Sequence, residues 1–240
     1  MTRTNPRQQS GFSLVEMAIV LVIVGLMIGG LLTPLSMQIE QRKQAETQKA
    51  LDEARDALIG YALRYGYLPC PAISANNGLE DRQQQRCGND KRQGFLPWAT
   101  LGVARSDAWN RLFRYSVTPA FSDAGAPFTL NTPRDITVMT RDDAGRPAQA
   151  SALNDIPALI LSHGKNGYGA TGEQGQRVAG GPADNADERI NAVSATTFVG
   201  RGASGNGAAP GGEFDDMVVW ISPNILFNRM VLAQRLPQAQ

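Results

Sequence analysis

The chain has little of what most catalytic and metal centres are built from. Its single histidine, His163, and its two cysteines, Cys70 and Cys87, are too few and too scattered for a zinc site. No G-x-S-x-G turn is present. The adjacent pair Ser162-His163 ends an apolar run, where neighbouring side chains point to opposite faces and cannot easily act on one substrate together. SHGKNGYG (162–169) fails as a phosphate loop, because Lys165 lacks the required glycine spacing and the following Ser or Thr. Its glycines, Gly164, Gly167 and Gly169, suit a tight turn with positive φ instead. No catalysis, cofactor or metal is therefore expected. An excess of one charge is also missing, with 23 basic against 22 acidic residues and no basic face interleaved with aromatics. Nucleic-acid binding is not expected.

One absence is local. From Phe12 to Leu32 there is no Lys, Arg or Asp, and the only charge is Glu16. As a helix these residues would span about 31 Å, the thickness of a bilayer's hydrocarbon core. Arg3 and Arg7 precede the run and predict a cytoplasmic N-terminus with the remainder outside. A cleaved secretory signal is the alternative, but the apolar core is long and ends in LLTPLS without a small-x-small site. A carboxylate in such a segment costs several kcal/mol unless it is neutralised or paired. No basic residue of the segment can pair with Glu16, so its cation must come from elsewhere or its side chain must reach the headgroups. In an exported chain two cysteines favour a Cys70–Cys87 disulfide over two free thiols, contributing roughly 3 kcal/mol by loop entropy.

GFSLVEMAIVLVIVGLMIGG (11–30) resembles the N-terminal signature of type IV pilins and type II secretion pseudopilins. The resemblance implies a leader ending at Gly11, cleavage before Phe12 by a prepilin peptidase, and N-methylation of Phe12. It implies that Glu16 meets the N-terminal ammonium of a neighbouring subunit, which supplies the missing cation in trans. In a low-dielectric helix bundle each charge then offsets the other's desolvation. GFLPWATLGVARSDAWNRLFRYSV (94–117) resembles a Leu-Pro-Trp and Asp-x-Trp-x-Asn segment of the same group, with Ala108 where proline is common and no glycine after Trp109. Some pseudopilin heads bind calcium through C-terminal loop carboxylates, which points to Asp215 and Asp216. EF-hand spacing is absent, however, and adjacent aspartates in a strand point apart. Asp184, Asp187 and Glu188 are equally available, and solvated turn carboxylates remain the simpler expectation.

Beyond the apolar run the pattern stays helical. Pro34 would kink the helix, and Gln38 to Tyr65 is free of proline and rich in good helix formers. Leu51, Leu58, Ala62 and Tyr65 share a face, flanked by Ala54 and Ile59. One helix is expected from Phe12 to about Arg64, stopped by GYLPCP. Strands are expected in RLFRYSV (111–117), DITVMT (135–140), IPALIL (156–161) and FDDMVVWIS (214–222). Ser222-Pro223 reads as an N-cap and first-turn proline opening a short helix. GRGASGNGAAPGGEF (200–214) reads as a flexible loop. The expected fold class is α+β, a long N-terminal helix packed on an antiparallel head with long loops. Its parts are a leader (1–11), a transmembrane helix (12–32), an amphipathic continuation (33–66) and a periplasmic or extracellular head (67–240).

These readings describe a single-pass protein of the bacterial inner membrane that is later incorporated into a filament. The expected function is a minor pilin or pseudopilin of a type IV pilus or type II secretion pseudopilus. Its partners would be prepilin peptidase, other pilin or pseudopilin subunits, the inner-membrane assembly platform and membrane lipid. The alternative is an adhesive or ligand-binding module displayed on a pilin-type stem.

Overall fold

The computed structural model describes residues 13–236, with residues 28–34 as backbone only. The leader, Gly11 and Phe12 lie outside the described residues. Helix α1 (Leu14–Tyr65) continues through Pro34. The chain divides into two compact units, one ending at Lys43 and one beginning at Gln44. In the first, the apolar side chains of α1 find no cover: Leu14 is 91 % exposed, Leu21 67 % and Leu26 73 %. Among the described residues no helix is long and apolar enough to cross a membrane. Of the stretch expected to do so, side chains are described only as far as Met27.

The second unit begins with the last turns of α1, which end at Gly66 (φ +87°), whose N–H donates to Ala62 O at 2.8 Å. That left-handed position is one glycine takes without strain. Then come a hairpin of β1 (Arg82–Gln83) and β2 (Arg86–Cys87), β3 (Gln93–Phe95), α2 (Trp98–Leu101), β4 (Arg114–Val117) and β5 (Thr137–Arg141). They are followed by β6 (Pro147–Gln149), β7 (Ala158–Ser162), α3 (Ala186–Val193), β8 (Thr197–Val199), β9 (Met217–Trp220) and α4 (Pro223–Leu232). The main sheet has the order β3-β4-β7-β9 and is antiparallel throughout. A second sheet, β6-β5-β8, pairs β5 with β6 antiparallel but with β8 in parallel, Val138 opposite Phe198.

The apolar run of β7 is explained by the layer it occupies. Ala158 and Ile160 face α1 and join Leu51, Leu58, Phe113, Tyr115 and Met230 in one core. Leu159 and Leu161 face the other way, joining Ile136, Val138 and Phe198 of the second sheet's side in another. A strand buried on both faces has no polar alternate positions, which is why its sequence does not alternate. Burial of α1 follows the helical repeat through Leu51, Ala54, Leu58 and Ala62, all fully buried. Tyr65 departs from that face: it is 44 % exposed and packs against Tyr61, ring centroids 4.4 Å apart. The Cys70–Cys87 disulfide is present and closes the loop that carries β1.

Three expectations are corrected. Asp187 and Glu188, expected among turn carboxylates, lie instead in α3. β9 starts at Met217, so Asp215 and Asp216 precede the strand and do not alternate within it. Ser222 occupies the N-cap of α4, but its side chain makes no cap hydrogen bond; its carbonyl accepts from Leu226 N–H at 3.0 Å.

The division of α1 gives a direct contrast. Leu58→Ala should lower head stability by about 2–5 kcal/mol in denaturant titration, the usual cost of a large-to-small core change. Leu21→Ala should leave that transition in place, because Leu21 is uncovered in the isolated chain.

Candidate functional site

Two regions concentrate polar chemistry. The first is the start of α1. Ser13 N–H donates to Glu16 Oε2 at 2.9 Å, and Glu16 N–H donates to Ser13 Oγ at 3.2 Å. This reciprocal pair is a capping box, which satisfies two of the main-chain donors that a helix start leaves free. Glu16 therefore has a local neutral partner, although it has no cation within the segment. The signal for it, Ser-x-x-Glu before an apolar run, stands in the sequence. Behind Glu16 the exposed side chains Val15, Met17, Ile19, Val20 and Val22 surround the helix. Covering each fully would contribute roughly 1.5–3 kcal/mol.

The second region lies where β7 ends. Ser162 Oγ donates to Asp107 Oδ2 at 2.6 Å, while His163 Nδ1 lies 3.5 Å from Asp216 Oδ1. The two side chains engage different carboxylates, as their adjacency requires. Asp107 also accepts from the N–H groups of Trp109 (2.9 Å) and Arg111 (3.0 Å), holding the turn in which Asn110 has φ +61°. The Asp-x-Trp-x-Asn pattern thus marks a buried turn. Burial pushes the Asp107 carboxyl up, opposed by its bond from Ser162. Past His163 the chain turns through Gly164, Gly167 and Gly169, all at positive φ. A Cβ on Gly164 would meet Asp215 O and Oδ1 at 2.3 Å, so this turn needs glycine for space as well as for φ.

Glu188, Asp215 and Asp216 come together here, each offering one oxygen within 4.8 Å of the others. Asp215 Oδ2 accepts from Asn166 N–H at 2.8 Å, and Glu188 Oε1 accepts from Asp215 N–H at 2.8 Å. Asn166 Nδ2 donates to Glu188 Oε1 at 3.0 Å, Asn185 Nδ2 to Glu188 Oε2 at 2.7 Å, and Asn191 Nδ2 to Asp216 Oδ2 at 2.8 Å. These bonds tie α3, the 163–169 turn and the approach to β9 into one network. Neighbouring Asp187 is taken up by Arg141 and Arg201, both at 2.7 Å, whereas the Asp184 side of the loop is exposed. Oxygen-only donors of this kind are those a hard divalent cation accepts, but most of them already accept protein hydrogen bonds. Burial, aided by the charges of Glu188 and Asp216, pushes the Asp215 carboxyl up to about 7. Burial is also the leading cause raising Glu188. Within a strand the two aspartates would point to opposite faces; lying before β9, both reach Glu188.

Residues 6–32 match the prokaryotic N-terminal methylation motif. No curated protein and no solved structure matches the chain. The chain carries a type IV pilin-like, prepilin-type signature, and that signature supports a pilin- or pseudopilin-like subunit.

The carboxylate cluster gives a pH dependence of definite sign. Asp215 rises from 3.8 to about 7 on folding, so the folded head holds a proton that the unfolded chain releases. Its stabilising contribution is complete below about pH 4 and is lost as pH rises through about 7. Asp215→Asn should flatten the decline measured by denaturation between pH 4 and 8 in chelator-containing buffer. After discounting for partial exposure, the gain at pH 8 should be roughly 2 kcal/mol.

Proposed function

We propose that this protein is a minor pilin or pseudopilin, a mechanical subunit of a type IV pilus or a type II secretion pseudopilus. The observation that carries the reading is a coincidence of two features. The methylation motif covers residues 6–32, and the same stretch contains the apolar side chains from Leu14 to Met27 that the chain leaves uncovered. In this reading residues 12–32 hold the precursor in the inner membrane, with residues 1–11 in the cytoplasm. Residues 33–66 continue the helix and 67–240 form the periplasmic head. Prepilin peptidase cuts after Gly11 and methylates the new amine of Phe12, and the assembly platform then draws the subunit out of lipid onto its neighbours.

Glu16 has a different partner at each stage. In the free chain its carboxylate accepts the Ser13 N–H, a neutral bond at a surface that water or headgroups reach. In the filament it meets the Phe12 ammonium of the adjacent subunit, and exclusion of water strengthens that attraction. The cap orients the carboxylate toward the helix start, the end from which a neighbour's terminus approaches.

Glu16→Ala tests this. Membrane insertion should be unchanged, since removing a charge makes the segment more apolar. Incorporation into filaments should fall on the order of tenfold or more, because an ammonium buried without its partner costs about 3–5 kcal/mol. Wild-type incorporation of the alanine variant would remove the trans ion pair from the account.

A further inference from the structure

The chain contains three Asn-Gly pairs: Asn77-Gly78, Asn166-Gly167 and Asn206-Gly207. An asparagine followed by glycine can close on itself, because no Cβ stands between the glycine nitrogen and the asparagine side chain. The nitrogen attacks Cγ, a five-membered imide ring forms, and the side-chain nitrogen leaves as ammonia. What the fold does to the attacking nitrogen, the side-chain carbonyl and the leaving nitrogen therefore decides whether each pair reacts.

The side-chain carbonyl is in the same state in all three pairs. Its oxygen accepts the N–H two residues on: from Leu79 to Asn77 at 3.0 Å, from Tyr168 to Asn166 at 3.1 Å and from Ala208 to Asn206 at 3.0 Å. Such a donor polarises Cγ and stabilises the oxyanion of the addition step. The remaining requirements separate the pairs. Gly167 N–H is spent on His163 O at 3.0 Å, and Asn166 Nδ2, the leaving nitrogen, donates to both oxygens of Glu188 at 3.0 Å. Gly78 is buried, and its carbonyl accepts from Ala99 N–H at 3.1 Å. A Cβ on Gly78 would come within 2.1 Å of the Trp98 indole, so the main chain lies directly against that ring. Asn77 is fastened to Ser74 through its N–H (3.1 Å) and its C=O (3.2 Å). Turning the 77–78 peptide toward Cγ breaks this packing.

Asn206-Gly207 carries neither restraint. Both residues are exposed. Among the described residues no hydrogen bond engages Gly207 N–H, Gly207 C=O or Asn206 Nδ2. Nothing lies within 4 Å of where a Gly207 Cβ would stand. Asn206 keeps two main-chain bonds, its N–H to Ser204 Oγ at 3.3 Å and its C=O from Ala209 N–H at 3.0 Å. Both are local to an exposed loop, of the kind that opens at little cost.

We propose that Asn206 is a site of spontaneous deamidation, with Asn77 and Asn166 shielded by the fold. The Gly207 nitrogen gives up its proton to solvent and bonds to Asn206 Cγ. The Cγ–Nδ2 bond then breaks, and the nitrogen takes a proton from water and departs as ammonia. Water opens the imide at either carbonyl, leaving aspartate or isoaspartate. Water is consumed, ammonia is released, and nothing is oxidised or reduced. Residues 203–212 carry no charge, so the product places a carboxylate in a stretch that otherwise has none. The inference concerns the head alone and stands apart from the processing of α1.

The test incubates the full chain in detergent micelles in mildly alkaline buffer. Peptide mapping by mass spectrometry follows each pair and resolves aspartate from isoaspartate. Asn206 should convert at least about tenfold faster than Asn77 or Asn166, the ratio that a barrier difference of about 1.4 kcal/mol gives. Isoaspartate should be among the products, because direct hydrolysis of the side-chain amide gives aspartate alone. In guanidinium chloride sufficient to unfold the head the three rates should converge, since every pair has the same glycine on its C-terminal side. Gly207→Ala places a Cβ in open space, so the head should stay folded while conversion of Asn206 slows at least about tenfold. The proposal is overturned by equal rates at the three pairs in the folded protein, or by no conversion at Asn206. It is overturned equally by an order that persists in denaturant, by aspartate without isoaspartate, or by an unchanged rate in the Gly207→Ala variant.

Discussion

Between Leu14 and Met27 the large apolar side chains of α1 are left uncovered by the rest of the chain. At roughly 25 cal/mol per Å², covering that area, as the proposed insertion and assembly would do, would be strongly favourable. The remainder of the molecule is consistent with that demand. A single charged residue near the start, Glu16, prevents the segment from being equally content in either setting. In lipid a carboxylate is a burden; in the proposed filament, a neighbour's ammonium would make it a point of attachment. The capping box with Ser13 gives the carboxylate a defined direction before any neighbour arrives.

The second half of α1 faces the opposite problem and solves it inside the chain. Leu51, Ala54, Leu58 and Ala62 are covered by the main sheet and α4. Behind that sheet a second apolar layer is closed by Ile136, Val138 and Phe198. β7 lies between the two layers and contributes to both, which makes it the strand on which the head's packing converges. The disulfide and the Arg–Asp pairs hold loops around this centre, and the cluster of Glu188, Asp215 and Asp216 joins α3 to the approach of β9. Hydrogen bonds from Asn166, Asn185 and Asn191 satisfy much of that cluster, while burial makes Glu188 and Asp215 resist ionisation.

Much of this could be read from sequence because it obeys short periods. The face of α1 follows from its 3–4 residue spacing, β7 from its unbroken apolar run, and the helix stop from Gly66. What could not be read depends on contacts distant in sequence or on polar burial. α3 hides Asp187, Glu188 and Asn191 in place of an apolar stripe, so no amphipathic pattern announces it. The parallel pairing of β5 with β8 joins Thr137 to Thr197, and nothing local in either strand encodes it. Tyr65 fits the helical repeat but is half-exposed, its ring tilted against that of Tyr61. β9 begins three residues later than its sequence pattern suggests, and that shift takes Asp215 and Asp216 out of the strand, where they would have pointed to opposite faces, and into the carboxylate cluster.

The central claim is that the N-terminal segment changes role through a covalent event. Intact-mass and N-terminal analysis of the protein, purified from cells with and without prepilin peptidase, tests it most directly. The account predicts a chain beginning at N-methylated Phe12 when the peptidase is present, and one retaining residues 1–11 when it is absent. A chain that keeps Gly11 and everything before it in the presence of active peptidase would contradict the account.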